Sequence, residues 1–188
     1  MSKPRIIAGK ARGIRLDVAP GDITRPITDR VKEALFNIIG ADIIDASFLD
    51  LFGGSGSVGI ESLSRGGYFT LFIDSSSSAI KAIEENLIKT HLVDFAKVVQ
   101  MDAFNFLRGN AFMPFNYIFI APPQYKQLWK KALLILDEYP THLAKDGWII
   151  VQIDPVEYED IDLNKFQTFD KRKYGSTLLL FYRKKPTR

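Results

Sequence analysis

Three aspartates and a glycine turn hold the chemical potential of this chain. Residues Phe48 to Gly59 read F-L-D-L-F-G-G-S-G-S-V-G: an apolar, strand-like run ends on Asp50, turns through Gly53, Gly54, Ser55 and Gly56, and enters a helix-like segment. That arrangement sets a carboxylate beside bare backbone N–H groups, as a small charged cofactor requires. Gly54-x-Gly56-x-x-Gly59 also satisfies the dinucleotide pattern. Asp50 separates the two readings. Beside the turn it would repel a pyrophosphate by about several kcal/mol at reduced dielectric. It would instead attract the ammonium group of S-adenosylmethionine, whose carboxylate suits the loop N–H groups. Asp74 closes a second strand-like run, L-F-I-D, and is placed to accept from ribose hydroxyls. Asp102 follows a third run, within reach of an adenine amine. Each aspartate alone reads as an ordinary loop or cap residue. Three at successive strand ends favour S-adenosylmethionine. With Phe52, Ser75 and Ala103 flanking them, the candidate cofactor set is Asp50, Phe52, Gly53, Gly54, Ser55, Gly56, Asp74, Ser75, Asp102 and Ala103.

Elements of alternating type must position these residues. Strands are expected at Ser47–Leu51, Thr70–Ile73, Ala96–Gln100, Asn116–Ile120, Trp148–Ile153, Lys165–Phe169 and Leu178–Arg183. Helices are expected at Val58–Ser64, Ser77–Thr90, Ala103–Leu107 and Tyr125–Tyr139. In Ser77–Thr90, the residues Ala79, Ile80, Ile83, Leu87 and Ile88 share a face and should pack on the sheet. The alternation predicts an α/β fold with a parallel sheet and helices on both faces. Asp170–Thr177 is too short for a parallel crossover, so the last two strands should pair antiparallel, with Lys171, Arg172, Lys173 and Tyr174 in the loop. Upstream, Pro26–Ile39 reads as an amphipathic helix with Val31, Leu35, Ile38 and Ile39 inward. Arg5–Val18 reads as a basic hairpin turning at Gly13. Residues 1–40 thus form an N-terminal appendage to a main domain at 41–188.

The chain has 188 residues, ordinary apolar content and no cysteine, which rules out disulfides and cysteine chemistry. No apolar run reaches membrane-span length and the start lacks an apolar leader core, so a cytoplasmic protein is expected. His91 and His142 lack ligand-spaced acids; surface roles and no metal are expected. Trp129 and Trp148 are expected to be packing residues. Net charge is +3, unevenly spread. Residues 1–40 hold eight Lys/Arg against four Asp/Glu, and 165–188 hold eight against one, leaving an acidic middle. Basic ends point to a polyanionic partner such as nucleic acid.

The chain resembles the RsmD-type enzymes, which methylate a guanine N2 in small-subunit (16S) ribosomal RNA. The likeness rests on Arg5-Ile-Ile-Ala-Gly-Lys10, on Thr24-Arg-Pro-Ile-Thr-Asp-Arg-Val-Lys-Glu-Ala-Leu-Phe-Asn37, on Leu49-Asp-Leu-Phe-Gly-Gly-Ser-Gly56, on Glu61-Ser-Leu-Ser-Arg-Gly66 and on Lys173-Tyr-Gly175. It implies a Rossmann-like, S-adenosylmethionine-dependent methyltransferase fold, with a seven-stranded, mostly parallel sheet, an antiparallel last strand and a small N-terminal hairpin-plus-helix appendage. It also implies that Asp50 and the glycine loop surround the methionine end, with Asp74 on the ribose and Asp102 near the adenine. Ribosomal RNA or an assembling small subunit is the implied partner, with Arg5, Lys10, Arg12, Arg25, Arg30 and Lys173 as candidate contacts.

One motif departs from that pattern. Amino-methylating relatives carry Asp or Asn, then Pro-Pro-Tyr, after the fourth strand; here the candidate catalytic residues are Ala121, Pro122, Pro123, Gln124 and Tyr125. The exocyclic amine of guanine is a poor nucleophile, so a side-chain acceptor and a backbone carbonyl must orient it while an aromatic ring stacks on the flipped base. Ala121 removes that acceptor. Gln124 could supply one, with Pro122 keeping its carbonyl role, and Tyr125 could swing in to stack. Otherwise Pro-Pro is only a rigid strand exit and Tyr125 a packing residue. Two other outcomes stay open: an RNA-binding relative that holds cofactor with little turnover, and a methyltransferase with another target.

Overall fold

The computed structural model describes residues 3–19 and 27–186. Seven strands form one sheet: β1 (Ser47–Asp50), β2 (Phe69–Asp74), β3 (Ala96–Gln100), β4 (Phe115–Ile120), β5 (Leu143–Ile153), β6 (Phe166–Tyr174) and β7 (Thr177–Lys184). Their order is β3-β2-β1-β4-β5-β7-β6. The first five are parallel, whereas β7 runs antiparallel between β5 and β6. The order reverses beside β1, and a parallel sheet opens a crevice for ligands at such a switch point. Asp50 ends β1 there.

Helices cover both faces. Alternation along the strands sends Phe48, Phe119 and Ile150 toward α1 (Asp29–Ile39), and Phe72 toward α2 (Ser57–Ser64) and α3 (Ser77–Thr90). Leu49, Ile118 and Val151 face the other way, toward α4 (Ala103–Arg108) and α5 (Leu128–Glu138). Thr28 caps α1 by accepting the Val31 N–H at 3.3 Å, and Ser76 caps α3. A Cβ on Gly59 would lie 2.3 Å from the Phe72 ring, so only glycine lets α2 sit this close to β2.

The N-terminal segment lies against α2 and α3, burying Ile6, Ala11 and Leu16 beside Ile60, Leu63, Ile83 and Leu87. The legs of the expected hairpin pair antiparallel through a bridge between Arg5 and Arg15, with the Ile6 and Leu16 N–H groups donating to the Ile14 and Pro4 carbonyls, and a turn over residues 8–13 joins them. Gly9 sits in that turn at φ +83°, where a Cβ would strike the Ser64 carbonyl oxygen. Polar groups fix the arm. Glu61, fully buried, accepts the Ile7 and Ala8 N–H groups at 2.8 and 3.0 Å. Lys32, also fully buried, lies 3.4 Å from Glu61 and donates to the Arg5 carbonyl (2.6 Å) and the Ser57 hydroxyl (2.8 Å).

Several expected details differ. Ile88 is 63% exposed and Ile80 half-buried; the inward arc of α3 is Ala79, Ala82, Ile83, Asn86, Leu87 and Thr90, because the N-terminal arm covers part of the helix along with the sheet. In α1 the buried set includes Lys32 and Phe36, and Ile38 is only half-buried. α5 begins at Leu128 instead of Tyr125, since Tyr125 and Gln127 take left-handed backbone angles (φ +62° and +54°) that a helix cannot continue. Lys171–Tyr174 belong to β6, leaving only Gly175 and Ser176 in the turn. Their charges suit an edge strand open to water. His142 is fully buried instead of exposed: its Nε2 lies 2.9 Å from the Leu107 carbonyl, and desolvation holds its pKa below the usual value. His91 is exposed at the end of α3. Trp129 is fully buried, and half-buried Trp148 packs among Tyr117, Phe169 and Phe181.

Candidate active site

The C-terminal ends of β1, β2 and β4 open onto a cavity of about 650 Å³. That is the scale of a nucleoside-sized ligand. Asp50, Phe52, Gly53, Gly54, Ser55, Asp74, Ser75, Asp102 and Ala103 all line it, so the sequence-derived cofactor set converges, with one exception. Gly56 stands behind the loop as the first residue before α2, against Ile60 and Ile83, and contributes its left-handed turn (φ +73°).

Each carboxylate has a distinct setting. Asp50 is 2% exposed and accepts a hydrogen bond from the Gly59 N–H at 3.1 Å. Burial pushes its pKa up to about 7; the Gly59 bond opposes this and the nearby Asp74 charge adds to it. Among the described residues no cation pairs with this carboxylate, and an ammonium group in the cavity would supply one. Asp74 accepts the Gly54 N–H on Oδ2 and the Ser76 N–H on Oδ1, both at 2.9 Å. It thereby shapes the loop and keeps lone pairs for hydroxyl donors. Asp102 caps α4 through the Asn105 N–H at 2.9 Å. Asn86, fully buried on α3, donates to the Ser55 carbonyl at 2.9 Å and fixes the loop from behind.

The β4 exit forms the opposite wall: Ala121, Pro122, Pro123, Gln124 and Tyr125 all line the same cavity. Tyr125 is 68% exposed, and its hydroxyl donates to Asp154 at 3.1 Å. A second, smaller cleft of about 230 Å³ adjoins it, lined by Thr28, Arg30, Gln124, Gln152 and the β6–β7 tip from Tyr174 to Thr177. Gln124 and Gln152 line both spaces. Sequence reasoning passed over Gln152, although a lone amide inside the apolar run W-I-I-V-Q-I was a signal.

The basic candidates are less concentrated. Arg30 lines the cleft, and exposed Lys173 lies one residue before its Tyr174 wall. Arg5 pairs with Asp29 at 2.6 Å. Lys10 lies over the Phe95 ring at the start of β3, the end of the sheet away from the cavity. Arg12 is exposed in the N-terminal turn. Arg25 lies outside the described residues. Among those described, no cluster of His, Cys, Asp and Glu could hold a metal, and no helix is long and apolar enough to cross a membrane.

Residues 4–183 match the model of the family described as conserved hypothetical protein 95. The relatives include YlbH of Bacillus subtilis, 37% identical and covering 96% of this chain and 99% of its own. Ribosomal RNA small subunit methyltransferase D of Escherichia coli is 35% identical over 77% of this chain and 69% of its own. The chain belongs to the RsmD-type methyltransferase family. The solved structure of YhhF from Escherichia coli agrees, with a TM-score of 0.85 at 30% identity over 97% of this chain and 98% of that one. An RNA methyltransferase of Salinibacter ruber, in complex with S-adenosyl-L-homocysteine, shares the fold at a TM-score of 0.65 and 15% identity. The sheet is thus the Rossmann-like methyltransferase sheet with its reversed last strand. S-adenosyl-L-methionine is the cofactor of this RsmD-type site, and the buried Asp50 carboxylate, the loop N–H groups and the cavity size all fit it.

Proposed function

We propose that this RsmD-type protein methylates a guanine N2 of small-subunit (16S) ribosomal RNA, using S-adenosylmethionine, in the cytoplasm. The observation that supports it most directly is that the cofactor cavity and the Arg30-rimmed cleft meet at the β4 exit, Ala121 to Tyr125. A base flipped into that cleft would lie beside the cofactor, as chemistry on a base requires.

The cofactor, when bound, supplies a methyl group on a reactive sulfonium. The protein's task is then positioning. Asp50 and the glycine loop hold the amino-acid end, Asp74 the ribose and Asp102 the adenine edge. The Pro122 carbonyl accepts one N–H of the target amine, and Tyr125 stacks on the base. Arg30 and Lys173 face RNA phosphates near the cleft, while Arg5, Arg12 and Arg25 serve a wider footprint.

The test is incubation with labelled S-adenosylmethionine and small ribosomal subunits that lack the modification, followed by mapping of the product. N2-methylguanine in the 16S RNA is the expected result. Because Ala121 carries no acceptor, the second reading is an RNA-binding relative with little turnover. Cofactor binding without transfer would establish that reading instead. Transfer to another atom or another RNA would keep the enzyme and change its target.

A further inference from the structure

Gln152 occupies an unusual position for an amide. It is 8% exposed, and its Oε1 is buried without a hydrogen-bond partner among the described residues. Folding tolerates such an acceptor only at a cost, so its retention calls for a reason. Its placement supplies one. β4 and β5 run parallel with Phe119 opposite Ile150 and Ile120 opposite Val151, so the next pair in register is Ala121 and Gln152. Phe119 and Ile150 bury on the α1 face, and two-residue alternation puts Ala121 and Gln152 on that same face. Gln152 therefore stands one strand over from the methyl group of Ala121 and borders both the cofactor cavity and the cleft.

We propose that Gln152 is the base-orienting acceptor of this site: its carboxamide turns over to bring Oε1, which has no partner to give up, to the edge of the cleft, and Oε1 there receives an N–H of the target guanine in place of the side chain that Ala121 lacks. The inference rests on the guanine-N2 reading above. Guanine presents ring N1–H and the exocyclic amine side by side, two donors on one edge, and a buried carbonyl acceptor is their complement. An adenine turned the same way offers a ring acceptor beside its amine and would leave Oε1 facing a lone pair. The amide thus contributes selection as well as orientation.

The test compares wild type with Gln152→Leu, Gln152→Glu and the double variant Gln152→Leu/Ala121→Asn. Transfer to 16S RNA, affinity for S-adenosylhomocysteine and thermal unfolding are measured for each. Gln152→Leu is expected to lower kcat/KM by about tenfold or more, as loss of a buried hydrogen bond would. It should leave S-adenosylhomocysteine affinity unchanged and unfold at higher temperature, because it removes an unpaired acceptor. Gln152→Glu keeps an acceptor and retains most of the rate, and the double variant regains rate by restoring one across the strand. Gln152→Leu at wild-type rate, on a wild type that makes N2-methylguanine, overturns the inference and leaves the guanine reading standing. Loss of rate together with cofactor affinity also overturns it, since the amide would then be supporting the cavity. A wild type that binds S-adenosylhomocysteine yet makes no N2-methylguanine overturns both. Should Gln152→Leu fail to fold, Gln152→Met carries the same comparison.

Discussion

Asn86 Nδ2 donates to the Ser55 carbonyl at 2.9 Å, so a fully buried amide on α3 fixes the glycine loop 31 residues earlier in the chain. The same amide pairs with the backbone of Asp17, donating to its carbonyl and accepting its N–H, both at 2.8 Å. One side chain joins the cofactor loop to the N-terminal arm. Asn86→Leu strands two acceptors and a donor and is expected to cost about 2–4 kcal/mol of stability. Cofactor affinity should fall with it. Urea unfolding and calorimetric titration measure the two effects, and an unchanged affinity in a folded variant would show that the loop holds its shape without this tether.

Asp50 sets a pH dependence. Its carboxyl, held up to about 7 by burial, stays neutral in the unliganded fold at pH values where the unfolded chain is already ionised. Stability from this group is therefore full below about pH 4 and lost as pH rises through about 7. Asp50→Asn should flatten that slope in unliganded protein while weakening cofactor binding severely. Binding of a cationic ligand should drive a proton off Asp50 near pH 6, which calorimetry in buffers of different ionisation enthalpy would record. No proton release would mean that the carboxylate is already ionised or is not a ligand.

The Lys32–Glu61 pair is fully buried, and burial lowers the Lys32 pKa while Glu61 raises it. Lys32→Met leaves the Glu61 carboxylate with Arg65 and two backbone N–H groups but without its buried cation. A loss of about 3 kcal/mol is expected. Amide exchange at Ile7 and Ala8 should accelerate more than in β4, since the arm is what Glu61 holds. Uniform acceleration across the fold would assign the pair to global stability alone.

Tyr125 separates stacking from simple packing. Tyr125→Ala is expected to lower kcat/KM by about tenfold or more, the scale of lost base–aromatic stacking. Tyr125→Phe, which keeps the ring and removes the bond to Asp154, should stay within about threefold. Equal losses in both variants would make the hydroxyl the important group.

The sequence made much of the sheet legible because strand ends there carry chemistry. Asp50, Asp74 and Asp102 each follow an apolar run, and periodicity alone bounded the helix Ser77–Thr90. What escaped was pairing across long separations. Lys32 and Glu61 stood in the sequence only as members of two separate motif runs, because nothing local reveals that each finds the other in the core. Ile88 read as core because a helical wheel does not show how wide an arc its neighbours cover. Tyr125 and Gln127 read as helix because local pattern is blind to the left-handed backbone that the β4 exit imposes. Gln152 was missed for the same reason as the pair: its meaning lies in the strand beside it.

The chain of bonds from the Arg5 carbonyl through Lys32 Nζ to the Ser57 hydroxyl has one more consequence. Ser57 borders the cofactor cavity, and Arg5 belongs to the arm proposed to meet RNA. Two ligands that touch the ends of one rigid strut share an energetic account. A shift at either end biases the other by the same factor in both directions.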